Sequence, residues 1–76
     1  MNLSNLHNHQ TAFVLRTTGS PSLRLRLEEL GFVPGQEVTR LFATPMGTPI
    51  VFAMLGQRVA LRSSEAAPVS YTHLRA

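Results

Sequence analysis

The spacing of apolar positions along the chain changes several times, and each change marks an element. Residues 1–11 are polar apart from Met1, Leu3 and Leu6, a lead-in that pins two leucines to the core. Ala12 to Thr18 is rich in β-branched and aromatic residues and stops at Gly19, Ser20 and Pro21, which predicts a strand followed by a break. A helix follows. The Ser20 hydroxyl can accept a free first-turn N–H, and Pro21 suits the first helical position, where no N–H is needed. Leu23, Leu27 and Leu30 recur at i, i+4 and i+7, so they stack on one helical face, and Gly31 supplies the positive φ of a helix end. Leu25 falls opposite that stripe, between Arg24 and Arg26. It either packs against another part of the fold or is exposed for a partner.

Shorter periods fill the second half. Val33-Pro34-Gly35 is a type II turn, because proline fixes φ at the second position and glycine provides positive φ at the third. Strands are expected at Glu37 to Thr44 and Ile50 to Leu55, with Pro45 to Pro49 as the loop between them. Gly56-Gln57 reads as a tight reversal. Arg58 to Arg62 then alternates, with Val59 and Leu61 inward and the arginines outward. Ser63 to Ala67 is expected as a helical turn capped by Ser63 or Ser64, and Pro68 to Tyr71 as a closing strand. The resulting fold class is mainly β: a small barrel of about five strands, with one short helix between the first and second. Barrel closure would remove exposed sheet edges.

Composition narrows the function. The chain has 76 residues, 43% hydrophobic, which suits a single small globular domain. It has no cysteine, so neither disulfides nor thiolate metal sites are available. No apolar run approaches the roughly 20 residues of a membrane helix, and the N-terminus carries no secretory pattern; a cytoplasmic location is the expectation. The net charge is +3, yet Arg16, Arg24, Arg26, Arg40, Arg58, Arg62 and Arg75 are dispersed rather than gathered into a nucleic-acid-binding stripe. The aromatic residues are Phe13, Phe32, Phe42, Phe52 and Tyr71, four of them at positions a core would want.

A family pattern emerges from LEELGFVPGQEV at residues 27–38, TPMGTPIVF at 44–52 and RVALRSSEA at 58–66. Leu30-Gly31, then Val33-Pro34-Gly35, then Pro45 to Pro49 as Pro-x-Gly-x-Pro, and a late Leu61-Arg62 pair resemble the FeoA family in order and spacing. The likeness covers roughly residues 1–69. It implies an SH3-like barrel, a cytosolic setting, and a role in bacterial ferrous iron uptake through the cytoplasmic GTPase region of the transporter FeoB. It also implies an accessory protein and no enzyme. Any membrane association would be peripheral, through the partner. Two departures stand out. Thr48 occupies a hairpin position where the family usually has aspartate. The ending SYTHLRA lacks the family's apolar and acidic alternation, so residues 70–76 are read as a tail of foreign origin, such as read-through at the end of a truncated gene fragment.

The residues offer little for catalysis. Without cysteine or aspartate, a triad would have to draw on His7, His9 or His73, which lie in polar end segments. Glu28 and Glu29 diverge by about 100° on a helix and form no acid–base pair, whereas Glu28 can pair with Arg24 at i, i+4. No lysine is present to complete a phosphate-binding loop, so GTP binding by this chain is not expected. His7 and His9 would share one face of a strand and are weak candidates for Fe(II), lacking a nearby third ligand. No cofactor is expected. What remains is a protein-binding surface: Arg24, Leu25 and Arg26 on the helix flank, and Met46-Gly47 at the hairpin tip. A nucleic-acid-binding small barrel and the SH3-like domain of a metal-dependent repressor are the alternatives.

Overall fold

The computed structural model describes the backbone of residues 1–75 and the side chains of residues 1–72. A 3-10 turn at Leu3–Asn5 is followed by β1 (Thr11–Thr17), α1 (Pro21–Leu30), β2 (Glu37–Ala43), β3 (Ile50–Met54), β4 (Gln57–Leu61), α2 (Ser63–Ala66) and β5 (Val69–Arg75). The strands form one antiparallel sheet in the order β4-β3-β2-β1-β5. The mainly β architecture, with one short helix between the first two strands, is thus as the sequence predicts. Hydrogen-bonded closure is not: β4 and β5 are the two edges, and the pairing among the described residues does not join them.

Local chemistry explains α1. The Ser20 side chain accepts the Leu23 N–H at 3.3 Å, and Pro21 opens the helix. At the other end Gly31 adopts φ 110°, which lets its own N–H reach Glu28 O and the Phe32 N–H reach Leu27 O. That reversal drives Phe32 into the core with no exposed surface, edge-on to Phe52 at 6.3 Å and 84°. The expected leucine stripe is narrower than its spacing suggests. Leu27 is buried and Leu23 half-buried, but Leu30 stays 37% exposed because the chain turns inward only after Gly31.

The core gathers around Phe32 and Phe52, with Leu3 and Leu6 of the lead-in, Val14, Leu27, Val38, Leu61 and Val69 packed about them. Both lead-in leucines are therefore anchors, as expected. Asn2 holds their turn by accepting the Ser4 N–H, while Asn5 accepts the Asn2 N–H. Phe42 departs from simple alternation. A register shift in β2 between Arg40 and Phe42 inserts one residue against β3, which changes the strand's facing and leaves Phe42 45% exposed.

Three further expectations are corrected. The β3–β4 reversal is at Leu55-Gly56 rather than Gly56-Gln57: both have positive φ, 51° and 73°, as a type I′ hairpin requires, and Gln57 already pairs with Met54. The start of α2 is held by neither Ser63 nor Ser64; Arg62 is its N-cap, and the Glu65 carboxylate accepts the Arg62 N–H at 2.9 Å. The closing strand, expected over Pro68 to Tyr71, runs instead from Val69 to Arg75 and pairs with β1 from Thr17↔Val69 to Thr11↔Arg75. Tyr71 is buried among the core residues. This pairing fixes where the segment lies and has no bearing on its origin, because backbone ladder bonds accept almost any side chain. The type II turn is as expected, with the Gln36 N–H on Val33 O and Gly35 at φ 89°.

Candidate functional site

The two surface features singled out in the sequence lie far apart in the chain, and α2 joins them. On the α1 side, Arg26 Nη1 meets Glu65 Oε2 at 2.6 Å. Glu65 Oε1 accepts the Arg62 N–H, so one carboxylate ties the helix flank to the start of α2. On the other side the Ser63 N–H donates to Thr48 Oγ1 at 3.2 Å, and Ser63 Oγ donates to Gly47 O at 3.3 Å. Thr44 closes the loop, its hydroxyl donating to Thr48 O and its carbonyl accepting the Gly47 N–H. Thr48, which stands where the family resemblance implies an aspartate, supplies an acceptor for an otherwise free first-turn N–H of α2.

These contacts tie both the Met46-Gly47 tip, through Ser63, and the Arg24–Arg26 flank, through Glu65, to the same short helix. Met46 is 90% exposed and Leu25 is 58% exposed, which resolves the two readings of Leu25 in favour of the surface. Arg24 and Arg62 are exposed as well. Arg26 is not a free guanidinium, since Glu65 holds it. The expected Arg24–Glu28 pair is not formed; among the described residues the ion pair of α1 is Arg26–Glu65. The bracing role of Thr48, Ser63 and Glu65 is hidden in the sequence, because each partner lies in a different turn. Only Glu65, three residues beyond the α2 cap, carries a local signal. Glu65→Ala should destabilise the domain by about 1 kcal/mol, combining a lost cap with a half-exposed ion pair. Urea unfolding checks this, and an unchanged midpoint would show the brace to be idle.

The remaining motif positions serve the fold. Ser20 and Pro21 start α1, Leu27 packs beneath it, and Gly31 ends it. Pro34-Gly35 makes the turn into β2, Pro45 and Pro49 flank the tip, and Leu61 is fully buried beside the exposed Arg62.

The histidine expectation is corrected in its geometry. His7 and His9 lie in a turn before β1, not in a strand, and His9 has φ 71°. The turn is fastened to β2: the His9 N–H donates to Arg40 O, and the Arg40 side chain donates to Asn8 Oδ1 and Leu6 O. The shared strand face that would have brought the imidazoles together is therefore missing. Among the described residues no three His, Cys, Asp or Glu side chains gather as metal ligands. No helix among them is long and apolar enough to cross a membrane.

Comparison with known proteins gives this geometry a lineage. A family model described as the FeoA domain matches residues 1–70. The Fe(2+) transport protein A/Fe(2+) transporter FeoB fusion protein of Porphyromonas gingivalis is 33% identical over 69 residues, covering 91% of this chain. The chain spans only 8% of that fusion protein. The zinc-complexed FeoA of Stenotrophomonas maltophilia, described as a prokaryotic SH3 domain protein, superposes with a TM-score of 0.83 at 37% identity, over 95% of this chain and 89% of that one. The FeoA protein of Chlorobium tepidum gives 0.86 at 32% identity, over 93% of this chain and 68% of that one. The helix that ends at Leu30-Gly31, the turns and the SH3-like sheet thus sit in relatives sharing about a third of its residues, and this chain belongs to the FeoA family, associated with ferrous iron transport.

Proposed function

We propose that this domain is an accessory protein of bacterial ferrous iron uptake that acts by binding and modulating the cytoplasmic GTPase region of FeoB. The observation that carries this reading is the P. gingivalis fusion, in which a segment 33% identical to this chain is covalently joined to FeoB. Fusion holds two modules at high effective concentration, an arrangement suited to modules that act on each other. The braced face supports the same reading. The segments tied to α2 carry two exposed apolar side chains, Leu25 and Met46, and two exposed arginines, Arg24 and Arg62, and methionine and arginine are enriched at protein interfaces. The domain acts without chemistry of its own, as a cytoplasmic binding module.

The test is a pull-down of the soluble GTPase region of FeoB by the purified chain, repeated with Leu25→Asp and with Met46→Ala. Binding by the parent chain is expected, with a loss of about tenfold or more in affinity for Leu25→Asp. No capture by the parent chain would sink the proposal. Capture with Leu25→Asp folded and undiminished in binding would remove the helix flank from it.

A further inference from the structure

β4 is an edge strand, and its hairpin geometry shows which of its backbone groups are free. The turn at Leu55-Gly56 makes Met54 and Gln57 a hydrogen-bonded pair, and such pairs alternate along an antiparallel ladder. Gln57, Val59 and Leu61 therefore bond to β3, and the N–H and C=O groups of Arg58 and Ala60 point away from the sheet. Among the described residues these outward groups have no hydrogen-bond partner. The opposite edge is already partly answered, since Asn2 of the lead-in bridges to Ser70 of β5.

The side chains along β4 form a pattern. Arg58 and Ala60 are exposed on the outer face of the sheet, and Arg62, two residues further on and still extended, is exposed as well. Among the described residues neither Arg58 nor Arg62 has an ion pair. Across the sheet, Ala60 lies opposite Val51 and Val51 opposite Phe42, which is 45% exposed. An apolar row thus crosses β2, β3 and β4 and stops at the edge, with a guanidinium on either side of its last member.

We infer that β4 receives an extended acidic segment of another protein, added to the sheet edge as a further strand. Backbone pairing then answers the outward groups of Arg58 and Ala60. An apolar residue opposite Ala60 extends the row from Phe42, and acidic residues two positions to either side lie opposite Arg58 and Arg62. Arg62 contributes its side chain alone, because its N–H is held by Glu65. The segment recognised is accordingly acidic-x-apolar-x-acidic, with no proline opposite Arg58 or Ala60. Charge selects against a second copy of the chain. Antiparallel pairing of two β4 strands through these groups sets an arginine opposite or diagonal to an arginine of the other copy in every register. A nucleic acid would meet the arginines but has no amide ladder to answer the backbone. The FeoB reading is tested at Leu25 and Met46, so either proposal can fail without the other.

The test is an NMR titration of the isotope-labelled full chain with the end-capped peptide Thr-Glu-Thr-Val-Thr-Glu-Thr. Weak, saturable binding is expected, with the Arg58 and Ala60 amides shifted most and slowed in hydrogen exchange. Methylating the valine nitrogen of the peptide removes a ladder bond and keeps the charge, so affinity should fall about fivefold or more. Arg58→Glu should weaken binding by about tenfold or more, since it turns an attraction into a repulsion. Its side chain is exposed, and circular dichroism will show the variant folded. No binding up to millimolar peptide overturns the inference. So does equal affinity for the methylated peptide, or binding unmoved by Arg58→Glu. Tighter capture of a short single-stranded RNA that shifts the same β4 amides overturns it too, in favour of a nucleic-acid surface.

Discussion

Phe52→Ala should cost about 3–5 kcal/mol, a large part of the stability of a domain this small. Phe52 lies in β3, has no exposed surface, and meets Phe32 edge-on at 6.3 Å. A domain of this length has a total stability of roughly 4–11 kcal/mol, at about 0.05–0.15 kcal/mol per residue. Phe52 is paired with Arg40 of β2 and Val59 of β4 and faces the Phe32 ring, so the cavity would open among several segments and no single one can move in to fill it. Guanidinium unfolding should show a strongly lowered midpoint for Phe52→Ala, and a loss of only about 1 kcal/mol for Phe52→Leu. A loss under about 1 kcal/mol for the alanine variant would mean that the core is not organised around this ring.

Gly31→Ala should be the costliest change outside the core, at about 2 kcal/mol. The backbone there has φ 110°, which alone costs a side-chain-bearing residue on the order of 1–3 kcal/mol. A Cβ would also stand 2.9 Å from Leu55 Cδ1 and 3.0 Å from Met54 Cε. Both are ends of flexible side chains and can swing away, so the backbone term should dominate. A cycle with Leu55→Ala separates the two: if strain dominates, removing the leucine should recover under half of the loss in a thermal melt. Full recovery would assign the cost to the contact and contradict the ranking.

The features legible in the sequence are those whose physics is contained in a few consecutive residues. Ser20-Pro21 and Leu30-Gly31 bracket α1 because a cap needs only its own turn, and Val33-Pro34-Gly35 fixes its own dihedrals. The exposed Leu25 is visible as the residue that the amphipathic pattern cannot place. The features that stay hidden depend on a second segment. Phe42 faces solvent because one residue of β2 has no counterpart on β3, a mismatch that belongs to the pair of strands. In sequence Arg26 presents itself as a partner-facing cation, but Glu65, remote along the chain, holds it. His7 and His9 have the spacing of strand neighbours, yet the Arg40 side chain fastens their turn to β2. The candidate face is legible as two fragments, and the α2 contacts that join them are not.

The placement of β5 beside β1 has a consequence for the order in which the molecule can be built. The β2-β3-β4 meander joins stretches that follow one another closely and can form while later segments are still being made. The register Thr11↔Arg75 instead couples the first strand of the sheet to the last. One side of β1 must therefore wait, its ladder unanswered, until β5 has cleared the ribosome. During that interval the nascent domain exposes a sheet edge that the finished domain covers, and this is the stage at which a chaperone or a neighbouring nascent chain has most to bind.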